Sequence, residues 1–120
     1  METEVPYMKL EGQGKLLRIF IGESDRYGVQ PLYTAIVEAA RKARLSGSTV
    51  FKGIEGYGAH SVVHAARLFD FSTDLPVLIE IVDSEENIRS FIPTLDDMVK
   101  EGLITLETVE IIRYKSGKPK

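Results

Sequence analysis

Residues 77–84, V-L-I-E-I-V-D-S, carry the reading that decides the fold. Val77, Ile79 and Ile81 alternate with Leu78, Glu80 and Val82, which is the period of a β-strand over 77–82. Asp83 and Ser84 stop the run, and Ser84 is a natural N-cap for a helix. Helical spacing follows at once in Ile88, Phe91, Ile92, Leu95, Met98 and Val99. Pro93 predicts a kink or a split in that helix, because proline lacks the N–H of the ladder. Gly102 predicts its end. A last strand is expected over 105–114, with Val109 and Ile111 on one face.

Upstream the same alternation of elements recurs. Residues 16–21, L-L-R-I-F-I, read as a strand with Leu17, Ile19 and Ile21 on one face and Leu16, Arg18 and Phe20 on the other. Gly22 ends it, and the polar loop G-E-S-D-R-Y-G follows. Pro31 marks the start of a helix, since its missing N–H falls where no helical bond is needed. Leu32, Ile36, Ala39, Ala40 and Ala43 give that helix a narrow apolar stripe, and Gly47 is a C-terminal stop. A second strand is expected over 48–54. A short helix is expected over 59–69, with Val62, Ala65, Ala66 and Phe69 on one side and His60, His64 and Arg67 on another. A turn over 72–76 leads back to Val77.

The order β-α-β-(short helix)-β-α-β is that of an α+β, ferredoxin-like βαββαβ fold. It implies a four-stranded antiparallel sheet with two helices on one face and a short helical insert between strands 2 and 3. A single domain is expected over 15–114, with a lead-in over 1–14, flexible at E-G-Q-G, and a frayed tail over 115–120. If Leu17, Ile19, Ile21, Val77, Ile79 and Ile81 meet the helices, the other face carries Leu16, Phe20, Leu78, Val82 and Ile112, with Arg18, Glu80 and Glu110. So much apolar surface on one face predicts packing against further copies of the chain. A solvated mixed face is the plain alternative.

The composition bounds the function. The chain has 120 residues, 43% hydrophobic and 28% charged, the makeup of one globular domain. A net charge of −3 argues against nucleic acid as a partner, which calls for a basic face. With no cysteine there is neither a disulfide framework nor thiol chemistry. No apolar run reaches the roughly 20 residues of a membrane span, so direct membrane insertion is not expected. The start M-E-T-E-V-P-Y has no signal-peptide pattern, and a cytoplasmic location is expected.

The candidate site is residues 53–64, G-I-E-G-Y-G-A-H-S-V-V-H. Gly53, Gly56 and Gly58 allow sharp turns and close ligand approach. A helix opening after them would aim free N–H groups at an anion. Arg67 and, in the loop after the first strand, Arg26 are candidate cations, with Gly28 permitting a tight turn. Tyr57 or Tyr27 offers a ring on which a base can stack. His60 and His64, at i and i+4 of the expected helix, would face a phosphate or form half of a metal site, with Glu55 as a further oxygen donor. The bland alternative is a long connection with a helical insert. No nucleophile–base–acid arrangement is recognisable, and Asp96 and Asp97, adjacent on a helix, point apart. An enzyme is not expected.

The runs L-R-I-F-I-G-E-S-D-R-Y-G, G-I-E-G-Y-G-A-H-S-V-V-H and D-L-P-V-L-I-E-I-V-D-S-E-E together resemble domain-of-unknown-function family 190, whose members are PII-like proteins. The resemblance spans residues 16–112. It implies a ferredoxin-like subunit, a homotrimer, and a cytoplasmic regulatory role in signal transduction. It also implies an adenine nucleotide (ADP, ATP or AMP) as ligand, with modulation of a partner protein through the 53–76 segment. A membrane transporter or channel is one class of partner that it implies. PII proteins carry T-G-x-x-G-D-G-K before the last strand; here the place reads K-E-G-L-I-T-L-E, so that phosphate loop does not carry over. Tyr57 is not the tyrosine that PII proteins modify. The alternatives are a divalent-metal-responsive trimer resembling CutA, and a ligand-free accessory subunit of a membrane transporter or ion channel.

Overall fold

Strand β1 (Gly12–Gly22) runs through the middle of the sheet, and its alternation explains why. Leu17 and Ile19 are fully buried and Ile21 nearly so, while Leu16, Arg18 and Phe20 look the other way and stay part-exposed. A strand apolar on both sides is best accommodated between two neighbours. A computed structural model describes residues 11–58, 64–65 and 74–115. After β1 come the small hairpin β2 (Arg26–Tyr27) and β3 (Gln30–Pro31), helix α1 (Leu32–Lys42) and β4 (Thr49–Lys52). The short pair β5 (Glu55–Gly56) and β6 (His64–Ala65) follows, then β7 (Pro76–Asp83), α2 (Glu85–Met98) and β8 (Leu103–Ile111). The main sheet has the order β4-β7-β1-β8, and every neighbouring pair is antiparallel. This is the ferredoxin-like α+β arrangement expected from the order of elements.

The core lies between one sheet face and the two helices. Leu17, Ile19, Val77, Ile79 and Ile81 meet Leu32, Ile36, Ile88, Phe91 and Leu95 in a single apolar cluster. The register places Ile19 between Ile79 and Ile104, and Leu17 between Ile81 and Leu106. Ser84 caps α2 as expected: its hydroxyl accepts from the Asn87 N–H at 3.1 Å. Glu85 and Glu86 in the first turn suit the positive end of the helix dipole.

Several expectations are corrected. β1 begins at Gly12, not at residue 16, because β8 continues alongside and pairs Gly12 with Ile111 and Gly14 with Val109. The strand read over 48–54 pairs in the main sheet only over Thr49–Lys52, and the last strand runs from Leu103 to Ile111. α1 does not wait for Gly47. Arg44 takes the left-handed conformation (φ 64), its N–H donates to the Arg41 carbonyl, and the Leu45 N–H donates to the Ala40 carbonyl. That is a Schellman ending with arginine where glycine is usual. It is tolerated because it folds Leu45 back into the core cluster. α2 runs unbroken through Pro93, which sits on an exposed face of the helix. On the outer sheet face, β8 contributes Leu103, Thr105 and Glu107, because Leu106 is the residue paired with inward-facing Leu17. Glu110 therefore falls on the opposite side, and Ile112 lies beyond the strand.

The expected short helix over 59–69 is also corrected where the chain is described. His64 and Ala65 form strand β6, antiparallel to β5, with Gly56 opposite His64 and Glu55 opposite Ala65. Backbone pairing across the glycine stretch replaces the helical turn that apolar spacing suggested. The remainder of that expected helix and the turn over 72–73 lie outside the described residues.

Candidate functional site

Three strand ends meet where the 53–76 segment leaves the sheet. The last β1–β7 pair is Gly22 with Pro76, and the last β4–β7 pair is Lys52 with Val77. Beyond the ladder, backbone and side-chain bonds continue the joint. The Glu23 N–H donates to the Leu75 carbonyl at 2.8 Å, and the Gly53 N–H to the Pro76 carbonyl at 2.7 Å. The Ser24 N–H donates to Asp74 Oδ1 at 2.8 Å, and the Gly22 N–H to Asp25 Oδ2 at 3.0 Å. Asp25 returns its own N–H to the Gly22 carbonyl and accepts the Leu32 N–H at the start of α1. Lys52 Nζ lies 2.8 Å from Glu23 Oε2, which ties β4 to the loop after β1. The Glu23 hydrogen bond, with the charge behind it, holds the Lys52 ammonium above the ordinary lysine range.

The glycine stretch begins on this joint. A Cβ on Gly53 would stand 2.7 Å from Cγ of Pro76, so only glycine lets β4 turn this close over the proline ring. Gly56 approaches the same ring, and Gly58 stands in open space. Tyr57 is 67% exposed and Ile54 81%, so neither ring nor side chain is packed down. The backbone of His64 sits opposite Gly56. The side chain of His64, and all of His60 and Arg67, lie outside the described residues. The structure therefore brings Gly53, Gly56 and the His64 backbone together, and it does not give His64 the helical position on which the paired-histidine reading rested.

Arg26 and Gly28 belong to the neighbouring hairpin. Gly28 occupies the first loop position of the β2–β3 turn with φ 65, a value favourable for glycine and strained for most other residues. The Arg26 guanidinium donates across that turn to the Val29 carbonyl. One of its donors is thus spent on its own hairpin. Among the described residues, no group of three or more His, Cys, Asp or Glu side chains is arranged to hold a metal ion.

Sequence reasoning missed Glu23, Asp25, Lys52 and Asp74, although these make the joint. Two signals were available: Lys52 directly precedes the first glycine, and Asp74 directly precedes the Leu75–Pro76 return. What no one-dimensional pattern showed is that residues 22–25 and 74–76 lie side by side. Three carboxylates against one ammonium make the root of the segment acidic. Asp25 and Asp74 spend an oxygen each on backbone N–H groups, so they shape the loop.

A second polar cluster lies at the far end of β7. Asp83 is fully buried and accepts from the Ser46 N–H at 2.7 Å, the Ser84 N–H at 2.7 Å and Asn87 Nδ2 at 2.9 Å. The Tyr114 hydroxyl donates to the Ser46 carbonyl at 2.8 Å. With its carboxylate supplied by backbone and amide donors, this cluster fastens the α1–β4 turn, the start of α2 and the chain beyond β8.

The comparisons with known proteins agree with this architecture. The family DUF190, described as "Uncharacterized ACR, COG1993", matches residues 14–111. The chain belongs to DUF190. A UPF0166 protein of Aquifex aeolicus (strain VF5) is 42% identical over 98 residues, covering 82% of this chain and 92% of that one. A UPF0166 protein of Methanocaldococcus jannaschii is 36% identical over 102 residues, covering 84% and 94%. Among solved structures, CPII from Thiomonas intermedia K12 bound to ADP and bicarbonate aligns with a TM-score of 0.55 at 17% identity, over 87% of this chain and 91% of that one. A second structure of CPII, described as a nitrogen regulatory PII-like protein bound to ADP, AMP and bicarbonate, gives 0.56 at 16% identity over the same shares. At that identity the likeness establishes the fold alone: this DUF190 chain shares the ferredoxin-like fold of these structures.

Proposed function

We propose that the chain is a non-catalytic PII-like regulatory protein that binds an adenine nucleotide beside the root of the 53–76 segment. In this reading it acts in the cytoplasm as a homotrimer and modulates a partner protein through that segment. The observation that carries the reading is the fold: four strands and two helices align over 87% of the chain with a PII-like protein described with ADP bound. Two features of the chain support it. The glycine stretch leaves the sheet at a firmly tied joint, as a ligand-responsive segment needs. The outer sheet face is apolar beyond what one subunit can cover, with Phe20, Phe51 and Leu103 all exposed. The partner class, a membrane transporter or channel, belongs to the same reading. Among the described residues no helix is long and apolar enough to cross a membrane.

Calorimetry with ATP, ADP, AMP and cyclic AMP on metal-free protein tests the ligand. Heat of binding with at least one of them is expected, and silence with all four overturns the nucleotide reading. Light scattering at micromolar concentration tests the assembly: three times the subunit mass is expected, and a single-subunit mass overturns it.

A further inference from the structure

We propose that Lys52 is the cation that meets the nucleotide's phosphates, and that Glu23 is the latch that holds it until the nucleotide arrives. This rests on the nucleotide reading above and assigns the regulation of that site. Lys52 is the last residue of β4 and the immediate neighbour of Gly53. Its backbone is fixed on one side by the ladder to Val77 and on the other by the Gly53–Pro76 bond. Its side chain is more than half exposed and meets Glu23 at the surface. The root is rigid and the head is free to swing, so a new partner can be taken without moving the sheet.

The exchange takes place among the carboxylates of Glu23, Asp25 and Asp74, so whatever favours it must come from the ammonium itself. A surface ion pair between one ammonium and one carboxylate is worth little net, because both groups are well solvated apart. A phosphate group offers more negative charge and more acceptor oxygens than a single carboxylate, so it competes well for the same ammonium. Arg26, the other described candidate cation, stands on the β2–β3 hairpin and spends one donor on the Val29 carbonyl, whereas Lys52 stands at the root itself, next to Gly53. Taking Lys52 from Glu23 removes the side-chain strut between β4 and the loop after β1. The backbone bond from Glu23 to Leu75 needs no side chain and stays. Asp25, in the same loop, accepts the first N–H of α1, so the loop released on one side remains joined to the helix on the other.

The test compares ADP with adenosine by calorimetry on the full chain and three variants. Lys52→Gln is expected to weaken ADP by about tenfold or more, the scale of one lost charge-assisted hydrogen bond, and to leave adenosine unchanged. Lys52→Arg restores most of the loss. Glu23→Gln, by freeing the ammonium, tightens ADP several-fold. These opposite signs separate a latch from a merely structural pair, for which both neutral variants move affinity the same way. Urea midpoints confirm that the variants fold. If the unaltered chain binds ADP but Lys52→Gln binds it as well, or loses adenosine equally, the latch is overturned while the nucleotide reading stands. If the unaltered chain binds neither compound, the nucleotide reading fails first and the latch goes with it.

Discussion

The two faces of the sheet are built from the same alternation but treat their polar residues in opposite ways. On the inner face β7 reads Val77, Ile79, Ile81 and Asp83, all buried. The one polar residue among them stands at the end, where backbone and amide donors supply its carboxylate. On the outer face a charged row crosses the centre: Arg18 Nε lies 3.0 Å from Glu80 Oε2, and Arg18 Nη1 lies 2.8 Å from Glu107 Oε1. These are pairs between side chains on three adjacent strands, and the Glu80 bond, then the nearby carboxylates, raise the Arg18 pKa further. Beside them an apolar row spans the whole sheet: Phe51 opposite Leu78, Leu78 opposite Phe20, and Phe20 opposite Leu103. The inner face is finished by the chain's own helices. The outer face settles its charges internally and leaves its apolar row uncovered. One face encodes the subunit, and the other is suited to an assembly.

Substitutions can break that contrast, beginning with the inner face. Ile19 is fully buried at the sheet centre, between Ile79 and Ile104. Ile19→Ala is expected to destabilise by about 2–5 kcal/mol through lost transfer energy and a cavity, measured by urea unfolding. A change under about 1 kcal/mol would mean that the helices do not close over this face as tightly as the structure shows.

Asp83→Ala comes next. It would leave the Ser46 and Ser84 N–H groups and the Asn87 amide without their acceptor. Each such buried loss costs on the order of 1–3 kcal/mol, although water entering the vacated space offsets part of it. A total near about 2–3 kcal/mol is expected on that scale, with faster hydrogen exchange at Ser46 and Ser84. Unchanged exchange at both amides would show that Asp83 does not fasten the α1–β4 turn.

Arg44 sharpens the comparison with a gain. It holds a left-handed conformation at the end of α1, the turn that delivers Leu45 to the core and the Ser46 N–H to Asp83. Arg44→Gly removes the strain while keeping the hydrogen bonds. A stabilisation of about 0.5–1 kcal/mol is expected, limited by the extra freedom glycine has in the unfolded chain. A loss of stability would mean that the arginine side chain, not the turn geometry, is what matters there.

How much of this was legible in the sequence follows from which contacts are periodic. The inner face was, because Leu17, Ile19, Ile21, Val77, Ile79 and Ile81 repeat at two residues and the α1 and α2 stripes at three to four, although in α1 the buried stripe takes in Ala35 and leaves Ala43 exposed. The fold class followed from the succession of elements. The ends were not: Gly12 joins β1 only because β8 runs beside it, and Arg44 ends α1 only because Leu45 has a core to enter. The glycine stretch was visible as unusual, yet its partner across β5 was not, since Gly56 and His64 pair through backbone. Glu23, Lys52 and Asp74 sit in three separate stretches of sequence, and only the meeting of three strand ends makes them one joint.

The smallest expected effect on the subunit is also the sharpest test of the contrast. Phe51 is about half exposed, at the edge-strand end of the apolar row. Phe51→Ser removes no inner-face contact but gives up the cross-strand pair with Leu78, so the dissociated subunit is expected to lose about 0.2–1 kcal/mol. If the outer face is covered by further copies of the chain, unfolding of the unaltered protein depends on its concentration, because assembly adds to stability by mass action. Phe51→Ser should abolish that dependence and lower the mass seen by light scattering. The charged row predicts why the loss would be selective: Arg18, Glu80 and Glu107 remain mutually paired, so the face stays soluble when the apolar row is cut. Should the variant keep both its assembled mass and its concentration dependence, the row from Phe51 to Leu103 is not the surface that joins the copies. The inner and outer faces would then differ only in exposure, and not in what each is for.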